Sequence, residues 1–204
     1  MDKGIKYIVG IDEVGRGPIA GPVTVCAFSC KSEFFNDIYT KSPDVKLPKL
    51  KDSKKLSKKQ REIWFNFLKK QKEENNCNYV VSFVSPENID KFGINKCIQK
   101  ALNKSLLDLK LNIEDIFIFL DGGLKATIEY VHQETIIKGD ELYPVISCAS
   151  IIAKVSRDRI MTNYSKEYPD YGFEKHSGYG TKSHYDAIKK HGQISIHRKT
   201  FIHL

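Results

Sequence analysis

Nothing in this sequence approaches the roughly 18 to 20 consecutive apolar residues of a bilayer-spanning helix, so no helical membrane span is expected. The first apolar run begins within a few residues of Met1, which leaves no room for a secretory leader and points to a cytoplasmic location. Cysteine is scarce and unpaired in pattern. Cys26, Cys30, Cys77, Cys97 and Cys148 are odd in number and include no CxxC, so they read as buried thiols rather than disulfides or a zinc set. Five histidines run from His176 to His203, but their spacings match no compact metal motif. Internal repeats, a collagen-like period and coiled-coil heptads are also missing. Acidic residues are the minority charge, 25 against 33 Lys and Arg, and the net charge of +8 favours a polyanionic partner.

What is present suits an ordinary packed domain, with 41% hydrophobic and 28% charged residues over 204 positions. Ile5 to Ile11, Val23 to Ser29, Tyr79 to Val84, Ile116 to Leu120 and Thr135 to Lys138 read as strands. Helices are expected after the capping box at Ser57 to Gln60, with a stripe of Ile63, Trp64, Phe67 and Leu68, and over Asn95 to Leu109. A long helix is expected over Val145 to Tyr164, with Ala149, Ile152, Ala153, Ser156 and Ile160 on one side, and a last one over Lys182 to Lys190. Lys31 to Lys55 reads as a polar excursion. No linker divides these elements, so residues 1–204 are read as one α/β domain.

Three strands run into carboxylates. Tyr7 to Ile11 meets Asp12-Glu13, Ile116 to Leu120 meets Asp121-Gly122, and Thr135 to Lys138 meets Gly139-Asp140. Each has a plainer reading on its own: Asp12-Glu13 and Asp121-Gly122 as turns, and Lys138, Asp140 and Glu141 as a solvated charge patch. Their joint occurrence carries more weight, because strands of one sheet bring distant residues to a common edge. Asp12, Glu13, Asp121 and Asp140 would then form an all-oxygen cluster suited to Mg²⁺ or Mn²⁺, wide enough for two ions astride one phosphodiester. The Gly15-Arg16-Gly17 loop follows directly, with glycines that admit a ligand to the backbone and an arginine fork for phosphate oxygens.

These residues resemble the ribonuclease HII family. Gly10 to Pro22 resembles its opening signature, and Asp52-Ser53-Lys54-Lys55-Leu56 its lysine loop. Leu120-Asp121-Gly122, Lys138-Gly139-Asp140, Ile146 to Asp158, His176-Ser177-Gly178-Tyr179-Gly180-Thr181 and His197 to Phe201 follow in the family's order. The resemblance implies a ribonuclease H-like fold: a mixed five-stranded sheet flanked by helices, with a helical C-terminal extension. It implies an endoribonuclease that hydrolyses the RNA strand of RNA/DNA hybrids and cuts 5′ of single ribonucleotides in duplex DNA, leaving 3′-hydroxyl and 5′-phosphate ends. Asp12, Glu13, Asp121 and Asp140 match the family's metal-binding acids, and Gly15, Arg16 and Gly17 the loop that recognises the 2′-hydroxyl and its phosphate. Tyr179 matches the tyrosine that packs on the ribose. The same pattern puts the fourth acid at Asp140 rather than Asp158, which is left to pair structurally with Arg157 and Arg159.

The basic run from Lys46 to Arg61 holds eight cations against the single acid Asp52, and Lys54 and Lys55 are its expected phosphate contacts. A monomer acting alone on RNA/DNA hybrid and ribonucleotide-containing duplex is expected. Ribonuclease HIII, which shares the fold, and a non-catalytic hybrid-binding descendant are the competing accounts; four intact acids argue against the second.

Overall fold

The computed structural model describes residues 4–37, 47–50 and 53–203. Its centre is a mixed sheet in the order β3-β2-β1-β4-β5. Strands β1 (Tyr7–Val14), β2 (Val23–Lys31) and β3 (Cys77–Val84) pair antiparallel in sequence, while β4 (Ile116–Asp121) runs parallel to β1 and β5 (Gln133–Ile136) parallel to β4. The helices are α1 (Ser32–Asp37), α2 (Lys58–Glu73), α3 (Pro86–Phe92), α4 (Ile94–Asp108), α5 (Gly139–Leu142), α6 (Pro144–Glu167), α7 (Phe173–His176) and α8 (Lys182–His191).

Two-residue alternation along the strands sorts the core into two layers. Ile8, Cys26, Phe28 and Phe119 face α6 and α2, meeting Val145, Ile152, Trp64 and Leu68. Val9, Ile11, Val25, Ala27, Ile118 and Leu120 face α4, meeting Ile98, Leu102 and Leu106. A third cluster joins Ile19 and Ala20 to Met161 of α6, Phe173 of α7, Ile188 of α8 and Ile196. This is the C-terminal helical extension, and it packs directly behind the loop that follows β1.

One glycine sets how closely α6 approaches the sheet. A Cβ on Gly10 would stand 2.2 Å from the Val145 carbonyl carbon, so only glycine lets the start of α6 lie on β1. The short α5 immediately precedes α6, and its position follows from that contact.

The sheet and the major helices match the sequence reading, with instructive differences at the boundaries. β1 does not stop at Ile11 but continues through both acids to Val14, because Val14 still pairs with Thr24 of β2. β5 begins at Gln133 and ends at Ile136, so Ile137 and Lys138 lie beyond it and Asp140 sits in a helical turn rather than at a strand end. The long helix is buried on all sides from Pro144 to Ala153, whereas Ser156 and Ile160, read as core, are only half-buried; Val155, Arg157 and Met161 are buried instead. The polar excursion contains α1 and a 3-10 turn over Ser53–Lys55, while Lys46, Lys51 and Asp52 lie outside the described residues. All five cysteines are buried free thiols, as expected.

Candidate active site

Asp12 lies two positions beyond Gly10 on the face of β1 that meets α6, and it is 4% exposed. Asp121 ends β4 on the same face, one position past the last β1–β4 pair, Ile11 with Leu120. Asp140 arrives from α5 and is 5% exposed. Left-handed Lys138 turns the chain from β5 into α5, and Asp121 Oδ1 then accepts the Gly139 N–H at 2.7 Å and the Asp140 N–H at 3.4 Å. Gly139 fits closely here, since a Cβ would meet Ile146 Cδ1 at 2.5 Å and make that side chain shift. The outcome is a triad: Asp12, Asp121 and Asp140 each offer an oxygen within 4.8 Å of the others.

Strand periodicity keeps Glu13 out of that triad. Its side chain falls on the opposite, α4-facing side, where Oε1 accepts from Arg16 Nη1 at 3.3 Å. Arg16 is held in turn by Asn95 Oδ1 near the start of α4. Three of the four expected acids therefore converge, and the fourth is paired with the loop arginine.

Burial pushes the Asp12 carboxyl well above the ordinary carboxylate range, and repulsion from Glu13, Asp121 and Asp140 pushes it further; a hydrogen bond from Ser150 opposes both. Glu13 is raised by burial and lowered again by Arg16. Three hard-oxygen donors, two buried and Asp121 half-buried, mutually repelling when ionised, fit a divalent cation such as Mg²⁺ or Mn²⁺.

The lysine turn is tied to this pocket through hydroxyls. Ser53 Oγ lies 2.8 Å from Ser150 Oγ, which links the turn to Asp12. Arg61 donates to the carbonyls of Ser53 and Leu56 at 2.8 and 2.6 Å, bracing the same turn. Lys54 Nζ consequently stands 3.8 Å from Asp140, and Lys55 Nζ stands 2.6 Å from Glu141. Asp158 belongs to this brace, bonded to Lys154 at 2.7 Å and close to Arg61 at 3.8 Å. It is structural as expected, but its partners are not Arg157 and Arg159: Arg159 meets Glu62, and Arg157 meets main-chain carbonyls. Ser53, Ser150 and Asn95 were not singled out from sequence. A serine inside the otherwise apolar Cys148 to Ala153 stretch was the available signal for Ser150.

The Gly15-Arg16-Gly17 loop leaves β1 through Gly15 at a φ of +91°, a conformation that favours glycine. Across from it is Tyr179, 48% exposed, whose Cε1 lies 3.8 Å from where a Gly17 Cβ would stand. The His184 ring nitrogen Nδ1, 2.9 Å from the Tyr179 carbonyl, anchors the tyrosine's turn to α8. The structure thus brings Tyr179 against the glycine loop, which leaves the same strand that carries Asp12.

The sequence profile of ribonuclease HII matches residues 9–204. The chain belongs to the ribonuclease HII family. The ribonuclease HII of Endomicrobium trichonymphae is 43% identical over 200 residues, spanning 98% of this chain and 87% of that protein. Among solved structures, ribonuclease HII from the Archaeoglobus fulgidus complex with PCNA superposes with a TM-score of 0.74 at 26% identity, over 97% of this chain and 96% of that one. Ribonuclease H2 from Pyrococcus horikoshii does so with a TM-score of 0.68 at 27% identity, over 95% and 93%. By its family the chain is an endoribonuclease acting on RNA/DNA hybrids and in ribonucleotide removal, and its carboxylate triad is an arrangement that could hold the metal for such catalysis. The mixed sheet and C-terminal helices are those of the family fold.

Proposed function

We propose that the protein cuts on the 5′ side of single ribonucleotides in duplex DNA, with Asp12, Glu13, Asp121 and Asp140 holding two Mg²⁺ or Mn²⁺ ions. Bound there, such ions supply a nucleophilic water at neutral pH and neutralise charge on the scissile phosphate, giving 3′-hydroxyl and 5′-phosphate ends. The chain's own residues place the substrate. Gly15 and Gly17 present main-chain groups to the 2′-hydroxyl, and the Tyr179 ring packs on the ribose. A slot built to bond that hydroxyl rejects deoxyribose, because its polar groups would be left unpaired.

Arg16 has two alternative partners in this reading: Glu13 in the free protein, and a substrate phosphate in the complex. Its transfer unpairs the Glu13 carboxylate, whose charge already reaches Asp12 and Asp121 from the edge of the strand, so that it can share in holding an ion there. Lys54 and Lys55 take phosphates on the flank of the cluster. All these groups come from one copy of the chain, which supports action as a monomer.

The observation that carries the reading is the Tyr179 ring edge against Gly17, in the loop that directly follows the strand bearing Asp12 of the acid triad. The test is cleavage of duplex DNA bearing one ribonucleotide, with Mg²⁺ or Mn²⁺ present, beside an all-DNA duplex and a continuous hybrid. One cut 5′ of the ribonucleotide is expected, none in DNA, and a far greater loss in Tyr179→Ala on the single ribonucleotide than on the hybrid. Equal losses on both substrates would remove Tyr179 from sugar recognition, and cleavage of the hybrid alone would move the specificity toward that of ribonuclease HIII.

A further inference from the structure

Two arginines behind the glycine loop are among the largest fully buried side chains of the molecule. Arg157 on α6 and Arg198 near the C-terminus are each 0% exposed. Rather than a carboxylate, each guanidinium meets main-chain carbonyls. Arg198 donates to Gly15, Arg16 and Gly21 at 2.7, 3.0 and 2.9 Å. Arg157 donates to Pro22 and Ala20 at 2.9 and 3.1 Å, and to Ser177 at 2.9 Å on the turn that leads into Tyr179. The two sides are stitched further where the Gly178 carbonyl accepts the Ile19 and Ala20 N–H groups.

Burying two cations with no acid in direct contact among the described residues is unfavourable, and apolar packing would fill the same space at lower cost. Burial pulls the Arg198 guanidinium down to about 9, with repulsion from Arg157 adding to it and Asp90 opposing, so it remains a cation at neutral pH. What apolar side chains cannot do is hold several carbonyls of one loop in a fixed plane. Arg157 also explains Gly15 a second time: a Cβ there would meet Arg157 Nε at 2.3 Å.

We propose that Arg157 and Arg198 are positioning residues for ribose selection, fixing the main chain of residues 15–22 against the Ser177–Tyr179 turn and so setting the slot between Gly17 and the Tyr179 ring. The proposal rests on the reading that this slot receives the sugar. Arg198 sets the loop itself, and Arg157 sets its distance from the tyrosine. Neither touches the acid triad or the substrate.

The test is Arg157→Lys and Arg198→Lys, which keep the charge and lose the fork. For each, kcat and KM are measured on a single-ribonucleotide duplex and on a continuous hybrid, with Mn²⁺ affinity by calorimetry. A drop of roughly tenfold to a hundredfold in the ratio of single-ribonucleotide to hybrid kcat/KM is expected, the scale of a misplaced binding group, with Mn²⁺ affinity held within about twofold. An unchanged ratio would overturn the proposal, whatever the total loss. Should a buried-arginine variant fail to fold, Asp90→Asn decides: Asp90 holds the Lys199 and Thr200 N–H groups directly after Arg198. A smaller shift in the same direction supports the clamp, and a constant ratio overturns it. Tyr179→Ala runs alongside. If it leaves the ratio constant, the sugar-slot reading itself fails; if it shifts the ratio and the other variants do not, only the clamp fails.

Discussion

His184 and His197, with His176 stacked on His184, form a buried relay whose hydrogen bonds settle the tautomers of the first two. The Ile194 N–H donates to His197 Nδ1, so His197 carries its proton on Nε2 and gives it to His184 Nε2, 3.1 Å away. His184 then donates through Nδ1–H to the Tyr179 carbonyl. His176 stacks on His184 with ring centroids 4.4 Å apart. A second proton on His184 would point at the Nε2–H of His197, so the relay requires neutral rings. Burial accordingly pushes His184 from 6.5 down to about 4, with its neighbouring histidines adding to the shift. The folded chain therefore binds fewer protons than the unfolded chain between those values. The stability this group contributes is present above about pH 6.5 and drains away as pH falls toward 4. Carbon-edited NMR of the His184 ring should give a titration midpoint near 4; a midpoint near 6.5 would mean that the ring is outside the relay.

At the level of elements, the contact between β1 and α6 decides whether the acids meet. Gly10→Ala places a methyl group against the Val145 main chain, and the overpacking is expected to destabilise the fold by about 1 to 3 kcal/mol. Thermal melting should fall by several degrees, and Mn²⁺ affinity should fall with it because α6 carries the Asp140 turn. Wild-type melting would show that α6 is free to shift. The same elements show what could be read in advance. Apolar runs revealed β1, β2 and β4 most clearly, because burial leaves an uninterrupted signal, whereas β5, polar and largely exposed, was caught only in its last two residues. The end of β1 was hidden, since Asp12 and Glu13 break that signal while the backbone ladder with β2 continues. The short helices α1, α3, α5 and α7 escaped because fewer than about two turns give no periodicity to detect. All four acids were legible as residues, but the separation of Glu13 from the triad was not: it depends on how far β1 extends past Ile11. Arg157 and Arg198 lay inside stretches noted for other reasons, and nothing in a linear sequence says that a basic side chain turns inward.

Over the whole molecule, the charge of +8 supplies attraction to nucleic acid, and Lys54 and Lys55 aim part of it at the active site. In an Asp121→Asn background that prevents cutting, hybrid binding should weaken linearly on a log–log plot against salt. Removing both lysines as Ala should make that slope shallower by roughly 2, about one for each phosphate contact. Fluorescence anisotropy across a salt series reads this directly, and an unchanged slope would place the lysines off the phosphate path. The loop clamp also has a history in time. Arg16 and the arginine that grips its carbonyl are separated by 182 residues. At roughly 5 to 20 residues per second, a ribosome takes on the order of 10 to 40 seconds to make the second after the first. Asp12, Asp121 and Asp140 have all been synthesised well before then. During that interval the nascent chain holds all three acids without the arginine that grips the glycine loop, so the proposed ribose selectivity is completed only once Arg198 has been added and folded in.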